Sequence, residues 1–209
     1  GLLLYAYLAT GGKHIRRGIT VGSSLDYSAS RTGFRALLPL TPVLPHLPAV
    51  PVRSIARASA LFVGRRVTRY QRFNVWPDNC DDDVWRTIAL HGFHPVPTAL
   101  MAQLATALEP GGLRAASGRR YADGLGEVTT PVLALAGSHD AQCHPEAVHG
   151  TVARLGSASH CRIYGPDDGC HYPYGHFDLL CGKHAREEVW PDASAWLRYT
   201  PGDGAGWEG

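Results

Sequence analysis

No stretch of this 209-residue chain stays apolar for the roughly 20 residues a membrane-spanning helix requires, so no such helix is expected and the chain reads as soluble. Charge of one sign is not in excess either. A formal net charge of +2 gives no reason to expect nucleic acid as a partner. Cysteine is sparse: Cys80, Cys143, Cys161, Cys170 and Cys181 make an odd set without C-x-x-C spacing. That excludes a disulfide framework as the basis of the fold and favours a reducing, intracellular compartment, a plastid being compatible, with at least one thiol free. The groups Cys143-His144, Cys161 and Cys170-His171 lack the C-x₂₋₄-C spacing of a zinc site, so neither a metal nor any other cofactor is expected. No internal repeat is visible. The opening GLLLYAYLATGG lacks an initiator Met, a basic region and a small-residue cleavage site, and is expected to be a buried helix entered midway rather than a signal peptide.

What is present is enough for a core: 44% of the residues are hydrophobic, which suits one large domain or two small ones. Residues 1–30 read as an αβ unit, with a helix from Leu2 to Ala9 stopped by Gly11-Gly12, the strand GITVG from Gly18, and the polar turn SSLDYSAS. Composition then shifts. A proline-rich loop LTPVLPHLPAVPV and a basic stretch GRRVTRYQR precede a helix TALMAQLATALEPGG carrying Leu100, Leu104 and Leu108 on one face, ended by Pro110 and Gly111. From about residue 128 the αβ rhythm returns. PVLALAG (131–137) is a continuous apolar run bounded by Pro and Gly, as expected of a parallel strand buried on both faces. A helix from Pro145 to Leu155, a strand HCRIYG and a helix carrying Ala185, Val189, Ala193 and Leu197 follow. The strand near 18–22 is expected to pair with that at 131–137, and the tail TPGDGAGWEG to be disordered.

An open parallel sheet carries its working residues at the carboxyl ends of its strands. Asp140, in GSHDAQCHPE, and His176, in YGHFDLL, both follow strands. A carboxylate that accepts an imidazole Nδ1 proton fixes the tautomer and supports the ring as a base, which is the acid–base half of a nucleophilic triad. Asp178 reads as a cap on the helix it begins, and His139 and His171 as incidental. Arg65, Arg66, Arg69 and Arg72, interleaved with Tyr70 and Phe73, read as a solvated face in preference to an anionic lipid interface or a nucleic-acid surface.

Taken together, GLLLYAYL, PVLALAGSHDAQCHPEAV and GHFDLLCGKHAREEVWP resemble the C-terminal part of an α/β-hydrolase, on the lipase and esterase side of that superfamily. More narrowly, PTALMAQLATALEPGGLR followed by GRRYADGL resembles a plant and algal group of lipase-like hydrolases. The resemblance covers residues 1 to 198 and is strongest after 95. It implies an α/β-hydrolase fold, truncated at its start, with a mostly helical insertion: a core unit over 1–30, a cap over 31–127, the acid- and base-bearing core over 128–199, and a tail over 200–209. It implies Asp140 as triad acid and His176 as triad base, a small-molecule ester or lipid as substrate, and an encounter with a peripheral lipid interface as compatible. In that family a helix like GLLLYAYL directly follows a G-x-S-x-G elbow. This chain contains no such pattern, since Gly22-Ser23-Ser24 and Gly156-Ser157-Ala158 both lack it. The serine, the earlier core strands and the oxyanion donors are expected upstream, and the 209 residues alone are expected to be inactive. Epoxide hydrolases and acyltransferases share the same Asp–His half, and a non-catalytic ligand-binding or scaffold protein that has lost its elbow remains an alternative.

Overall fold

The computed structural model describes residues 1–40 and 46–198. The expected disorder of 200–209 and part of the proline-rich loop therefore fall outside the described residues. Helix α1 (Leu2–Ala9) leads into β1 (Gly18–Val21), and after a 3₁₀ segment a short β2 (Ala49–Val50) precedes α2 (Val52–Ala60), α3 (Arg69–Asn74), α4 (Asp82–His91), β3 (Val96–Pro97) and α5 (Thr98–Ala105). The chain then returns through β4 (Val132–Gly137), α6 (Pro145–Val152), β5 (His160–Tyr164), α7 (Asp178–Cys181), α8 (Ala185–Glu188) and α9 (Trp190–Arg198).

Three strands form a parallel sheet in the order β1-β4-β5, with Gly18 opposite Val132 and Leu133 opposite His160. The pairing of the 18–22 region with 131–137 follows the sequence expectation. Every residue of β4 is buried. Its alternate side chains serve two different cores, as the two-residue period of a strand requires. Val132, Ala134 and Ala136 pack with Tyr5, Leu8, Val148 and Val152 from α1 and α6. Leu133 and Leu135 pack on the other face with Tyr164, Leu179, Val189 and Trp196. The sheet is thus a middle layer between helices. Tyr5 and Trp196 tie those layers to β1 by polar bonds, Tyr5 Oη to Thr20 Oγ1 at 2.9 Å and Trp196 Nε1 donating to the Gly18 carbonyl at 2.9 Å.

A third apolar cluster, built from Ala60, Val63, Val75, Cys80, Trp85 and Ala89, sits within α2–α4. These helices carry their own start signals. Thr68 caps α3 by accepting from Gln71 N at 3.0 Å, and Asp82 and Asp83 occupy the first turn of α4, where the helix dipole favours negative charge. The segment 104–128 belongs elsewhere, since Leu104, Ala107, Leu113, Ala122 and Leu125 pack into the main core beside α1.

Two helix expectations change. The helix carrying Leu100, Leu104 and Leu108 stops at Ala105 and continues as a 3₁₀ turn over Thr106–Leu108, which winds three residues per turn and throws the stripe out of line. Leu100 is left 44% exposed. The last helix is broken between α8 and α9, because Pro191 has no N–H to give to the preceding turn and its ring clashes with the carbonyl there. The buried anchor of α9 is consequently Trp196 at 2% exposure, while Leu197 is 61% exposed.

Candidate active site

The carboxyl ends of β1, β4 and β5 converge. β1 runs out into Gly22, whose N–H extends the ladder to the Leu135 carbonyl at 2.9 Å. β4 runs into the turn that holds Asp140, and β5 into the long loop that holds His176. The Oδ2 of Asp140 lies 2.7 Å from Nδ1 of His176. A carboxylate can only accept, so Nδ1 carries the proton and the lone pair of the neutral ring resides on Nε2.

Asp140 is fully buried and its geometry is fixed from the other side as well. Oδ1 accepts the backbone N–H groups of Gln142 at 2.8 Å and Cys143 at 2.9 Å, which compensates the lost hydration of the carboxylate and leaves Oδ2 for the ring. Gln142 is held in turn, its Nε2 donating to Asn74 Oδ1 at 3.1 Å and its carbonyl accepting from Thr32 Oγ1 at 2.6 Å. The acid turn is therefore tied to α3 and to the segment after β1.

The base loop is pressed onto the end of β4. A Cβ at Gly137 would lie 2.4 Å from the Tyr174 carbonyl oxygen and 2.5 Å from that of Gly175, so only glycine lets the loop cross there. His139 N donates to the Tyr174 carbonyl at 2.9 Å, and Phe177 N to the Asn74 carbonyl at 2.9 Å. Asp178 does not cap the helix it begins. Its buried carboxylate reaches backward and sideways, Oδ2 accepting from Gly175 N at 2.9 Å and Asn79 Nδ2 at 3.2 Å, and Oδ1 from Trp76 N at 3.2 Å. The physical reason is that three N–H donors from two loops converge there. Burial raises the Asp178 carboxyl to about 6 in spite of those donors.

Beside His176 lies a cavity of about 290 Å³ lined by Gly1, Leu2, Leu3, Gly22, Ser23, Tyr27, Phe34 and Gln142. The start of α1 therefore opens onto it. Ser23 turns its Oγ to the Val21 carbonyl at 2.8 Å, and among the described residues no hydroxyl or thiol bonds the imidazole of His176. Cys143, next to the acid turn, is fully buried and its thiol is pushed up by desolvation, which makes it an inert core residue. Residues 65–67 and 69 and Arg72 are exposed, with the Arg66 guanidinium 4.2 Å from the Phe62 ring centroid. Among the described residues no helix is long and apolar enough to cross a membrane.

The structure brings Asp140 and His176 together, and adds Gly22, Asn74, Gln142 and Asp178 to the same neighbourhood. Of these additions Asp178 had drawn attention as a helix cap, and Gly22 only as part of Gly22-Ser23-Ser24, which lacks the elbow pattern. Gly22, between a strand and a polar turn, carried the one available signal, that of a residue able to adopt a positive φ at a strand's carboxyl end.

No protein-family model matches the chain, and no curated protein matches it. Among solved structures, the chain is similar to an esterase (EaEST) from Exiguobacterium antarcticum, with a TM-score of 0.52 and 13% identity over 94% of this chain and 63% of that one. It is also similar to an alpha/beta hydrolase fold protein from Nakamurella multipartita, with a TM-score of 0.45 and 16% identity over 93% of this chain and 65% of that one. The first of these carries the fold, which is that of an α/β-hydrolase, and the chain spans 63% of that esterase's length.

Proposed function

We propose that this chain is the acid- and base-bearing part of a serine-dependent carboxylic ester hydrolase, with Asp140 and His176 completing a Ser–Asp–His triad whose serine lies upstream of Gly1. The observation that supports it most is the 2.7 Å bond from His176 Nδ1 to the buried Asp140 carboxylate, made beside the cavity onto which α1 opens. In that reading the serine Oγ attacks the ester carbonyl while Nε2 of His176 takes its proton. The same nitrogen then protonates the departing alcohol, and afterwards activates the water that releases the acid. Asp140 holds the tautomer and stabilises the imidazolium that forms in both half-reactions. The amino end of α1 favours negative charge on the carbonyl oxygen.

In this account residues 1–30 and 128–198 form the core together with the segment 104–128 that packs into it, and within the 31–127 insertion the helices α2–α4 act as the cap. Leu2, Leu3, Tyr27 and Phe34 give the cavity an apolar wall, and its volume of about 290 Å³ suits the acyl part of a small-molecule ester. The experiment is fluorophosphonate labelling. The chain extended by its native upstream coding sequence is expected to react at one serine and the 209 residues alone to stay unlabelled. An extended chain that is folded and unlabelled would contradict the proposal.

A further inference from the structure

The loop that leads to His176 and the helix that follows it meet in a second cluster. His171 precedes the base, whereas His184 and Glu188 come after it, one helical turn apart at the start and end of α8. One donor atom from each of the three lies within 4.8 Å of the others. The His171 and His184 rings face each other with centroids 4.3 Å apart and planes 7° from parallel. Glu188 is the organised member. Its Oε1 accepts from His171 N at 2.9 Å and faces His171 Nδ1 at 2.6 Å, and its Oε2 accepts from Tyr174 Oη at 2.6 Å.

We infer that His171, His184 and Glu188 form a binding site for a transition-series divalent cation of the Zn²⁺ class, which fastens together the two ends of the segment bearing His176. Two imidazoles and one carboxylate are the donors that Zn²⁺ takes in three-ligand sites, and they exclude Mg²⁺ and Ca²⁺, which require oxygen shells. The spacing His184 to Glu188 puts two donors on one face of a helix. The Tyr174 hydroxyl supplies the outer hydrogen bond that orients a ligating carboxylate. The nearby cation is engaged elsewhere, Lys183 Nζ donating to the Asp78 carbonyl at 2.9 Å and lying 3.8 Å from Asp81. Parallel rings do not aim their lone pairs at a common point, so chelation needs a rotation about χ2. His171, 67% exposed at its side chain, has room to make it by giving up its 2.6 Å contact with Glu188.

The consequence is mechanical. A cation held by both flanks closes the segment between His171 and Glu188, which lie 17 positions apart with His176 between them, and removes conformations open to an unfastened loop.

The test is equilibrium dialysis of the 209-residue chain against Zn²⁺, Mg²⁺ or Ca²⁺, with metal counted per chain; all three donors come from one chain, so self-association does not confuse the count. One Zn²⁺ per chain and no Mg²⁺ or Ca²⁺ is expected. Zn²⁺ at about 100 times its Kd should raise Tm by roughly 5 °C. Tyr174→Phe should weaken retention by about tenfold or more, and His149→Ala, an exposed histidine on α6, should not weaken it. A paired His171→Ala/His184→Ala variant should lose the site. Because a variant can lose metal by losing its fold, the ring protons of His171 and His184 are followed by NMR as Zn²⁺ is added to the unaltered chain, and both should shift together. A chain that takes up no stoichiometric Zn²⁺, ring signals that stay unmoved, or a folded double variant that keeps the metal would each overturn the inference.

Discussion

Gly22 stands where any side chain would strike His176. A Cβ built on it falls 2.7 Å from the imidazole Nδ1 and 2.8 Å from Asp140 Oδ2, and its φ is +49°. The end of β1 therefore forms a wall against the Asp–His pair, and the sheet fixes the distance between acid and base on three sides. Gly22→Ala is expected to displace the ring, with a backbone cost of about 1 kcal/mol from the positive φ. In the upstream-extended protein kcat should fall by at least about tenfold with KM little changed. A variant with unaltered kcat would show that the wall has no part in holding the pair.

Asp178 links the base loop to the loop after α3, and its protonation is the clearest pH signature in the chain. Its folded value, near 6, lies above the ordinary carboxyl value of 3.8, so between those limits the native state holds more protons than the unfolded one. The stability it contributes is therefore greatest at low pH and is lost as pH rises through that window, by at most about 3 kcal/mol. Asp178→Asn, which cannot titrate, should lack that slope. Urea unfolding of both proteins between pH 4 and pH 7 measures it. Parallel stability curves for the two would remove Asp178 as the source.

Thr151, on α6, anchors the turn that follows Gly22. Its Oγ1 lies 2.9 Å from Ser24 Oγ and accepts from Leu25 N at 3.1 Å, all of it buried. Thr151→Val keeps the shape and leaves those partners unmatched, which should cost about 1–3 kcal/mol. The denaturant midpoint should fall with an unchanged m-value.

Much of the sheet was legible in the chain because β4 is buried on both faces, which writes an unbroken apolar run into PVLALAG. Asp140 and His176 stood out because each follows a strand of that sheet. Gly22 did not, since a single glycine beside a polar turn has no periodicity to mark it. Asp178 was misread because its partners Trp76 and Asn79 lie 102 and 99 residues away, beyond any local pattern. The break before α9 was visible as Pro191, but an apolar period running through it outweighed the proline. The pairing of His171 with His184 and Glu188 required the β5–α7 loop to fold back, and only the four-residue spacing from His184 to Glu188 was readable beforehand.

The most direct measurement of the central claim is the hydrolysis of nitrophenyl esters by the upstream-extended protein and its single-site variants. The account predicts turnover for the extended protein, a loss of at least about 10³-fold in kcat for His176→Ala, and a similar or smaller loss for Asp140→Asn, whose amide orients the wrong tautomer but leaves the ring in place. The 209 residues alone should give only the background rate. A folded His176→Ala enzyme that retained nearly full activity would contradict the account, leaving the bond between Asp140 and His176 as an architectural contact.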